Sequence, residues 1–350
     1  MRILFATHHK YPPEIFGGLG VNTHRLACGL LERGHHVAVV AGLKGVGRTG
    51  LSARLRMKLL RDPSPQDRRM GYPVWRSWNP ATVVEKLSAK FKPDVAVLQG
   101  GAHFAPMLQS LLCLGIPVVA YLHTSDRLPM QHDAPKPPRL SFLANSSYTA
   151  SLHGDKYVSR IIPPLVHPED YQTETDRSSA IFVNPAGYKG LDIVLALARA
   201  RPDVSFLFIV NSMRKSLDIS GFHNIRVIAP VEDMRKVYGR ARVVLAPSKE
   251  ETWGRIATEA HVNGIPLLAS NAGGLPEAVG PGGICLPFKA PTAEWVRAFS
   301  RLWDDPATYA HFSRAAQRYS QRKEIQPEYL IRAFEAHLDS LVKPSDNHWQ

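Results

Sequence analysis

The chain is poor in cysteine: Cys28, Cys113 and Cys285 are its only three, far apart and odd in number. That excludes a disulfide framework and a cysteine-based zinc cluster, and it fits a reducing compartment. Long apolar runs are missing too. The best of them, LLCLGIPVVAYL at 111–122, is broken by Gly115 and Pro117 and falls short of the ~20 apolar residues that a membrane-spanning helix needs. The N-terminus MRILFATHHKYPP passes from one charge into a short apolar run and lacks the small-residue cleavage site of a secretory leader, so a cytoplasmic location is expected. Acidic residues are the scarcer charge, 30 Asp and Glu against 43 Lys and Arg, a formal net charge of +13. Such a surface attracts nucleic acid, anionic lipid or phosphorylated small molecules. No RRM, KH or helix-turn-helix signature accompanies the charge, so nucleic acid is not expected as a partner. The remainder is ordinary globular composition, 44% hydrophobic and 21% charged over 350 residues, enough for two domains with a core each.

Apolar segments of strand length alternate with helical periodicity. RILFATHH ends in a loop holding Tyr11, Pro12, Pro13, Gly17, Gly18 and Gly20; Leu26, Ala27, Leu30 and Leu31 then recur at helical spacing over 21–33, and HVAVVAG resumes as a strand after Gly34. DVAVLQG, a helix over 104–114, PVVAYLH and SFLANSS continue the alternation, which predicts a parallel sheet covered by helices on both faces. In 161–177, prolines and acidic residues replace the periodicity, predicting a first domain over 1–163, a linker over 164–177 and a second domain from 178. The second domain repeats the pattern with AIFVNPA, VSFLFIV, NIRVIAP, ARVVLAPS and IPLLASN, and it is predicted to end near 325. Only helical patterns remain from Thr292 onward. The last of them, YLIRAFEAHLDSLV within 326–350, is a C-terminal helix able to cross back to the first domain, followed by a polar tail expected to fray. Two doubly wound α/β domains bind ligands at the carboxyl ends of their strands, so an interdomain cleft is the expected site.

The segment 247–280, PSKEETWGRIATEAHVNGIPLLASNAGGLPEAVG, places Glu251 in a loop after a strand and Glu259 about two turns into the following helix. Two carboxylates at that spacing can face one ligand and accept hydroxyl hydrogen bonds; the spacing alone suits a solvated helix face equally well. The surrounding residues go further. Pro247, Ser248, Glu251, Gly254, Glu259, Ala260, Gly264 and Pro266, with Trp253 in an aromatic slot, then Gly273, Gly274, Pro276 and Glu277, match in order a pattern of known type. The segment resembles the donor-binding region of retaining family 4 glycosyltransferases, and the resemblance extends over nearly the whole chain. It implies the GT-B fold, two doubly wound Rossmann-like domains facing a cleft.

From the resemblance, Glu251 would contact hydroxyls of the donor sugar and Glu259 the nucleotide ribose. Gly17 and Gly18 fall in its glycine-rich loop, where a residue without Cβ lets backbone approach a diphosphate. His123 matches the histidine near the reacting centre, though a lone histidine ending a strand can equally be structural. Lys189 and Gly190 match a Lys-Gly pair whose ammonium neutralises the leaving diphosphate. Asn184-Pro185 departs from the Gly-Arg that many members carry ahead of that lysine, and Arg255, just inside the next helix, is the candidate replacement cation. The implied site is therefore Glu251 and His123 at the reacting centre, with Gly17, Gly18, Asn184, Lys189, Trp253, Gly254, Arg255 and Glu259 on the donor. No metal and no cofactor beyond the nucleoside diphosphate sugar is implied; D-x-D is absent, unlike in the metal-dependent GT-A class.

The implied activity is metal-independent, retaining hexosyl transfer to a sugar, lipid-linked or small-molecule acceptor, in cell-surface polysaccharide, glycolipid or glycoconjugate synthesis. A noncatalytic GT-B protein that binds a nucleotide sugar or a partner subunit is the alternative. Three other signals carry less. Gly45, Gly47 and Gly50 spell G-x-G-x-x-G without the downstream acidic strand end of a dinucleotide site and read as a loop. His8-His9 and His35-His36 are adjacent, and on extended chain they point to opposite faces, so neither pair chelates. LSARLRMKLLRD aligns Leu51, Leu55 and Leu59 on one helical face flanked by Arg54, Arg56, Lys58 and Arg61, which suits either an anionic membrane surface or a solvated insertion.

Overall fold

The computed structural model describes residues 1–100, 104–125, 139–154, 157–210 and 217–343. The chain forms two compact units, Met1–Leu165 joined by the C-terminal segment from Pro327, and Val166–Gln326. The polar tail beyond 343 lies outside the described residues.

The first unit is built on strands β1 (Arg2–Lys10), β2 (His36–Gly42), β3 (Gln66–Asp67), β4 (Val74–Ser77), β5 (Val95–Gln99), β6 (Val118–Leu122), β7 (Leu140–Ala144) and β8 (Val158–Ile161). Their order is β3-β4-β2-β1-β5-β6-β7-β8, parallel throughout except that β3 runs antiparallel to β4. Strand side chains alternate between faces, so Ile3, Phe5, Val37, Val39, Val95 and Val97 form one core layer while Leu4, Ala6, Ala38, Val40, Ala96 and Leu98 form the other. Both layers are buried, and this is why these strands read as unbroken apolar runs.

The helices Gly18–Glu32 and Pro327–Val342 cover the first layer. Phe334 stacks on Phe5 with ring centroids 6.1 Å apart and lies 5.9 Å from Tyr121. Gly29 leaves room for Ile331, whose Cδ1 would stand 2.4 Å from an added Cβ. Arg33 and His35 both reach Glu335, at 2.6 and 2.8 Å. Phe334→Ala is expected to destabilise the first unit by about 3–5 kcal/mol, as a fully buried aromatic lost from a close-packed layer does; a urea midpoint unchanged from wild type would remove this helix from the core.

In the second unit the strands are β9 (Ser179–Val183), β10 (Ser205–Ile209), β11 (Ile225–Ile228), β12 (Ala241–Ala246), β13 (Leu267–Ser270) and β14 (Gly283–Leu286). All are parallel, in the order β11-β10-β9-β12-β13-β14. Ile181, Leu207, Val244 and Leu267 face one layer, and Phe182, Phe206, Phe208 and Leu245 the other.

Three sequence expectations change. Residues 166–177 do not hang as a linker: the Thr173 N–H donates to Asn263 Oδ1 at 2.7 Å, the Thr175 hydroxyl to the Ala241 carbonyl at 2.7 Å, and the Asp176 N–H to the Gly239 carbonyl at 2.8 Å, so the segment packs on the second unit. Within the basic stretch 44–76, β4 is a buried member of the sheet next to β2, not part of an insertion. The glycine triplet is not wholly a loop either, since Gly47 and Gly50 lie in the first turn of a helix, Gly47–Leu60.

Candidate active site

Sequence-predicted site residues lie in both units, Gly17, Gly18 and His123 in the first and Asn184, Lys189, Glu251, Trp253, Gly254, Arg255 and Glu259 in the second. In the first unit β1 runs into Tyr11–Gly17, a loop fixed by a fully buried arginine. Arg76 donates from Nε to Asp67 at 2.7 Å, from Nη1 to the Tyr11 carbonyl at 3.0 Å and from Nη2 to the Pro12 carbonyl at 2.6 Å, and it pairs with Glu14 at 3.4 Å. Glu14 in turn accepts the N–H groups of Lys44 and Gly45, at 3.3 and 2.9 Å. Gly17, at the end of the loop, and Gly20, in the first turn of the helix that follows, differ in what they meet. A Cβ on Gly20 would touch Pro12 Cδ at 2.9 Å, so its role is packing, whereas the space around Gly17 is open. Gly17 caps and Gly18 begins the helix Gly18–Glu32. Its first amides have no intrahelical carbonyls to bond, and this end suits an anion.

His123 follows β6 and packs on the Tyr121 ring at 3.9 Å between centroids. Burial, helped by the charge of neighbouring His9, pushes its pKa down to about 3. His9 Nε2 is 3.1 Å from the Gly100 carbonyl, which can only accept, so Nε2 carries the proton; burial pushes this ring down as well. His123 is therefore neutral near pH 7 and cannot serve as a strong acid. His9 is not among the site residues expected from the sequence, where the adjacent His8-His9 pair reads only as non-chelating. Its signal in the sequence is its place near the carboxyl end of the first strand, the end at which parallel sheets bind ligands.

In the second unit, Asn184 at the end of β9 has φ +56°, the left-handed region. Glycine enters it freely and Asn tolerates it better than most residues, so Asn184 keeps the turn that the more usual glycine makes. The turn Gly187–Lys189 follows, and Gly190 (φ +78°) closes it where a Cβ would stand 2.1 Å from the Pro247 carbonyl. The Lys249 N–H donates to the Tyr188 carbonyl at 2.8 Å, interlocking the loop after β9 with the loop after β12. The result is an ion pair between Lys189 Nζ and Glu251 Oε2, each side chain about one-fifth exposed, at 21% and 22%. Gly273 and Gly274 support Glu251 from below: the Gly274 N–H donates to its carbonyl at 2.7 Å.

Glu259 lies on the helix Arg255–His261, behind Gly254. Its Oε1 is 3.2 Å from Arg255 Nη2, and its Oε2 accepts the Tyr238 hydroxyl at 2.8 Å. Arg255 Nη2 also donates to the Tyr171 hydroxyl at 3.0 Å. Burial and the Glu259 carboxylate push Tyr171 up to about 12 and Tyr238 well above its ordinary range. Burial alone would lower Arg255, yet Glu259 and Tyr171 hold it above its usual value. Arg255 thus orients Glu259 from a partly buried position and is not the open cation expected from the sequence. Trp253 also departs from expectation. It is 3% exposed, its indole N–H donates to Thr258 at 3.2 Å, and it packs in the core beneath the loop rather than reaching a donor. Among the described residues no group of three or more His, Cys, Asp or Glu is placed to hold a metal ion.

Two family models match the chain, one described as Glycosyltransferase Family 4 over residues 16–163 and one as Glycosyl transferases group 1 over residues 172–319. With the two parallel sheets, they define a GT-B glycosyltransferase. Within that class the chain resembles family 4. Among curated proteins, a D-inositol 3-phosphate glycosyltransferase of Corynebacterium kroppenstedtii is 40% identical over 85 residues, 23% of this chain and 19% of that protein. The matched stretch is thus about a fifth of that relative's length. Sucrose-phosphate synthase from Thermosynechococcus elongatus superposes with a TM-score of 0.76 at 14% identity, covering 98% of this chain and all (100%) of that one. HepE from Anabaena, solved with UDP-glucose, gives 0.74 at 15% identity, covering 97% of this chain and 100% of its own. At these identities the structural likeness is one of fold.

Proposed function

We propose that the protein is a cytoplasmic, retaining glycosyltransferase that moves a hexosyl group from a nucleoside diphosphate sugar to an acceptor hydroxyl, in the synthesis of a cell-surface polysaccharide, glycolipid or related glycoconjugate. The observation that carries this reading is the Lys189–Glu251 pair, held by two interlocked loops one helix away from Glu259. Each charge compensates the other until a donor arrives. A diphosphate then competes for the ammonium, and the released carboxylate accepts hydroxyls of the sugar. Glu259, with lone pairs left after Arg255 and Tyr238, takes the ribose hydroxyls.

Charge developing on the departing diphosphate is met by the Lys189 ammonium. The acceptor attacks the anomeric carbon on the face the diphosphate leaves. The bond to the phosphate oxygen breaks as the new C–O bond forms, and the leaving phosphate takes the acceptor proton. His123, neutral, orients by hydrogen bonding and is not needed to carry that proton. The acceptor is a sugar, small molecule or lipid-linked species, most readily one bearing phosphate, met at an anionic membrane face.

Thermal shift against UDP- and GDP-sugars tests the donor, since a ligand at one hundred times its Kd stabilises by about 2.7 kcal/mol. NMR of the product then tests stereochemistry. Retention is expected, and chelator is expected to leave the rate within about a factor of two, the charge neutralisation being assigned to Lys189. An inverted product, or Mg²⁺-reversible inhibition by chelator, refutes the reading; donor binding without any transfer favours the noncatalytic alternative.

A further inference from the structure

The helix Gly47–Leu60 is built inside out. Its small residues Thr49, Gly50 and Ala53 are buried, while Leu51, Leu55 and Leu59 are 57%, 57% and 68% exposed. At about 100° per residue, the three leucines point roughly opposite the buried side. Trp78, 55% exposed with its ring beside Gly45 just before the helix, adds apolar surface at the helix start. Cations frame it. Arg54 and Lys58 lie along one flank and Arg56 along the other, Arg48 and Arg61 mark the ends, all exposed, and residues 44–61 contain no acidic side chain.

We propose that this helix docks the protein on an anionic lipid bilayer, lying in the interface with its leucines below the headgroups and its cations among them. A nucleic acid would answer the cations but leave the leucines in water. A second copy placed face to face would bury the leucines while setting cation against cation. A charged lipid surface satisfies both at once, apolar stems below and phosphates around. Among the described residues, Arg56 is the cation of this set tied to its own unit, donating to the Gln66 carbonyl at 2.7 Å. The root of the helix is tied by Glu14 to the glycine loop after β1, so a docked helix brings that loop to the membrane. The value of docking for transfer rests on the proposed function; the docking itself does not.

Full-length protein is to be sedimented with phosphatidylcholine vesicles with and without phosphatidylglycerol, at low ionic strength. Binding is expected to the anionic vesicles only. The triple variant Leu51→Ser, Leu55→Ser, Leu59→Ser keeps every cation and is expected to bind at least about tenfold more weakly, as is Arg54→Ser, Arg56→Ser, Lys58→Ser, Arg61→Ser. Unchanged circular dichroism melting separates these losses from unfolding. Wild-type protein left in the supernatant, or leucine variants that bind as wild type, overturns the proposal. So does lipid-independent dimerisation that the leucine variant abolishes, which would give the face to a second copy. Transfer to a soluble acceptor is measured in parallel, so failed transfer with intact vesicle binding refutes the enzymatic reading alone.

Discussion

Glu251→Gln is expected to reduce sugar transfer by about 10²–10³-fold, the loss typical of removing one group that stabilises a transition state. Affinity for the free nucleoside diphosphate should hold or rise. The sign follows from the ion pair: in the resting protein Glu251 occupies the Lys189 ammonium, and a diphosphate must displace it. Gln removes that competitor, leaving Lys189 uncompensated and available, while the sugar loses its charged acceptor. Lys189→Met should act in the opposite sense, weakening the diphosphate first. Calorimetry with UDP and GDP beside initial rates with the matching sugar nucleotide separates the two. A Glu251→Gln enzyme that keeps its rate, or that loses nucleotide affinity as much as rate, sinks the division of roles.

Much of this was legible because parallel α/β units write their strands as apolar runs and their turns as glycines. The β1, β2, β5 and β6 segments were plain for that reason, as was the loop-helix segment around Glu251. Short strands were not. In β4 four residues include a buried arginine, in β14 a glycine opens a partly exposed strand, and neither offers a period long enough to read. Pairing with a neighbour already in the sheet supplies what their own sequence lacks.

The site was legible in composition but not in partnership. Asn184 stood out as a departure from pattern, yet only its left-handed φ explains why Asn is accepted there. Arg255 read as a phosphate cation because arginine near a helix start usually points outward. Four residues on, Glu259 stands one turn away on the same face and captures the guanidinium, and Tyr171 completes the tie. Arg76 gave no signal at all. Nothing in a sequence says that an arginine in VWRS will be fully buried and will hold the carbonyls of a loop more than sixty residues earlier.

That capture determines what Glu259→Gln should do. The variant loses a charged acceptor for the ribose, and nucleotide affinity is expected to fall by about 1.5–3 kcal/mol, roughly ten- to a hundredfold. It also leaves the Arg255 guanidinium beside a neutral amide in a partly buried position, so the unliganded protein should melt earlier. Destabilisation alone could mimic weak binding, and Tyr238→Phe supplies the control. It deletes only the hydrogen bond to Oε2, costing about 1 kcal/mol of stability, and it keeps the carboxylate and its pair with Arg255. The expected pattern is a lower melting temperature in both variants, with nucleotide affinity lost in Glu259→Gln and retained in Tyr238→Phe. Equal losses of affinity would make the whole Tyr238–Glu259–Arg255 network a scaffold, and wild-type affinity in Glu259→Gln would remove the ribose from its reach.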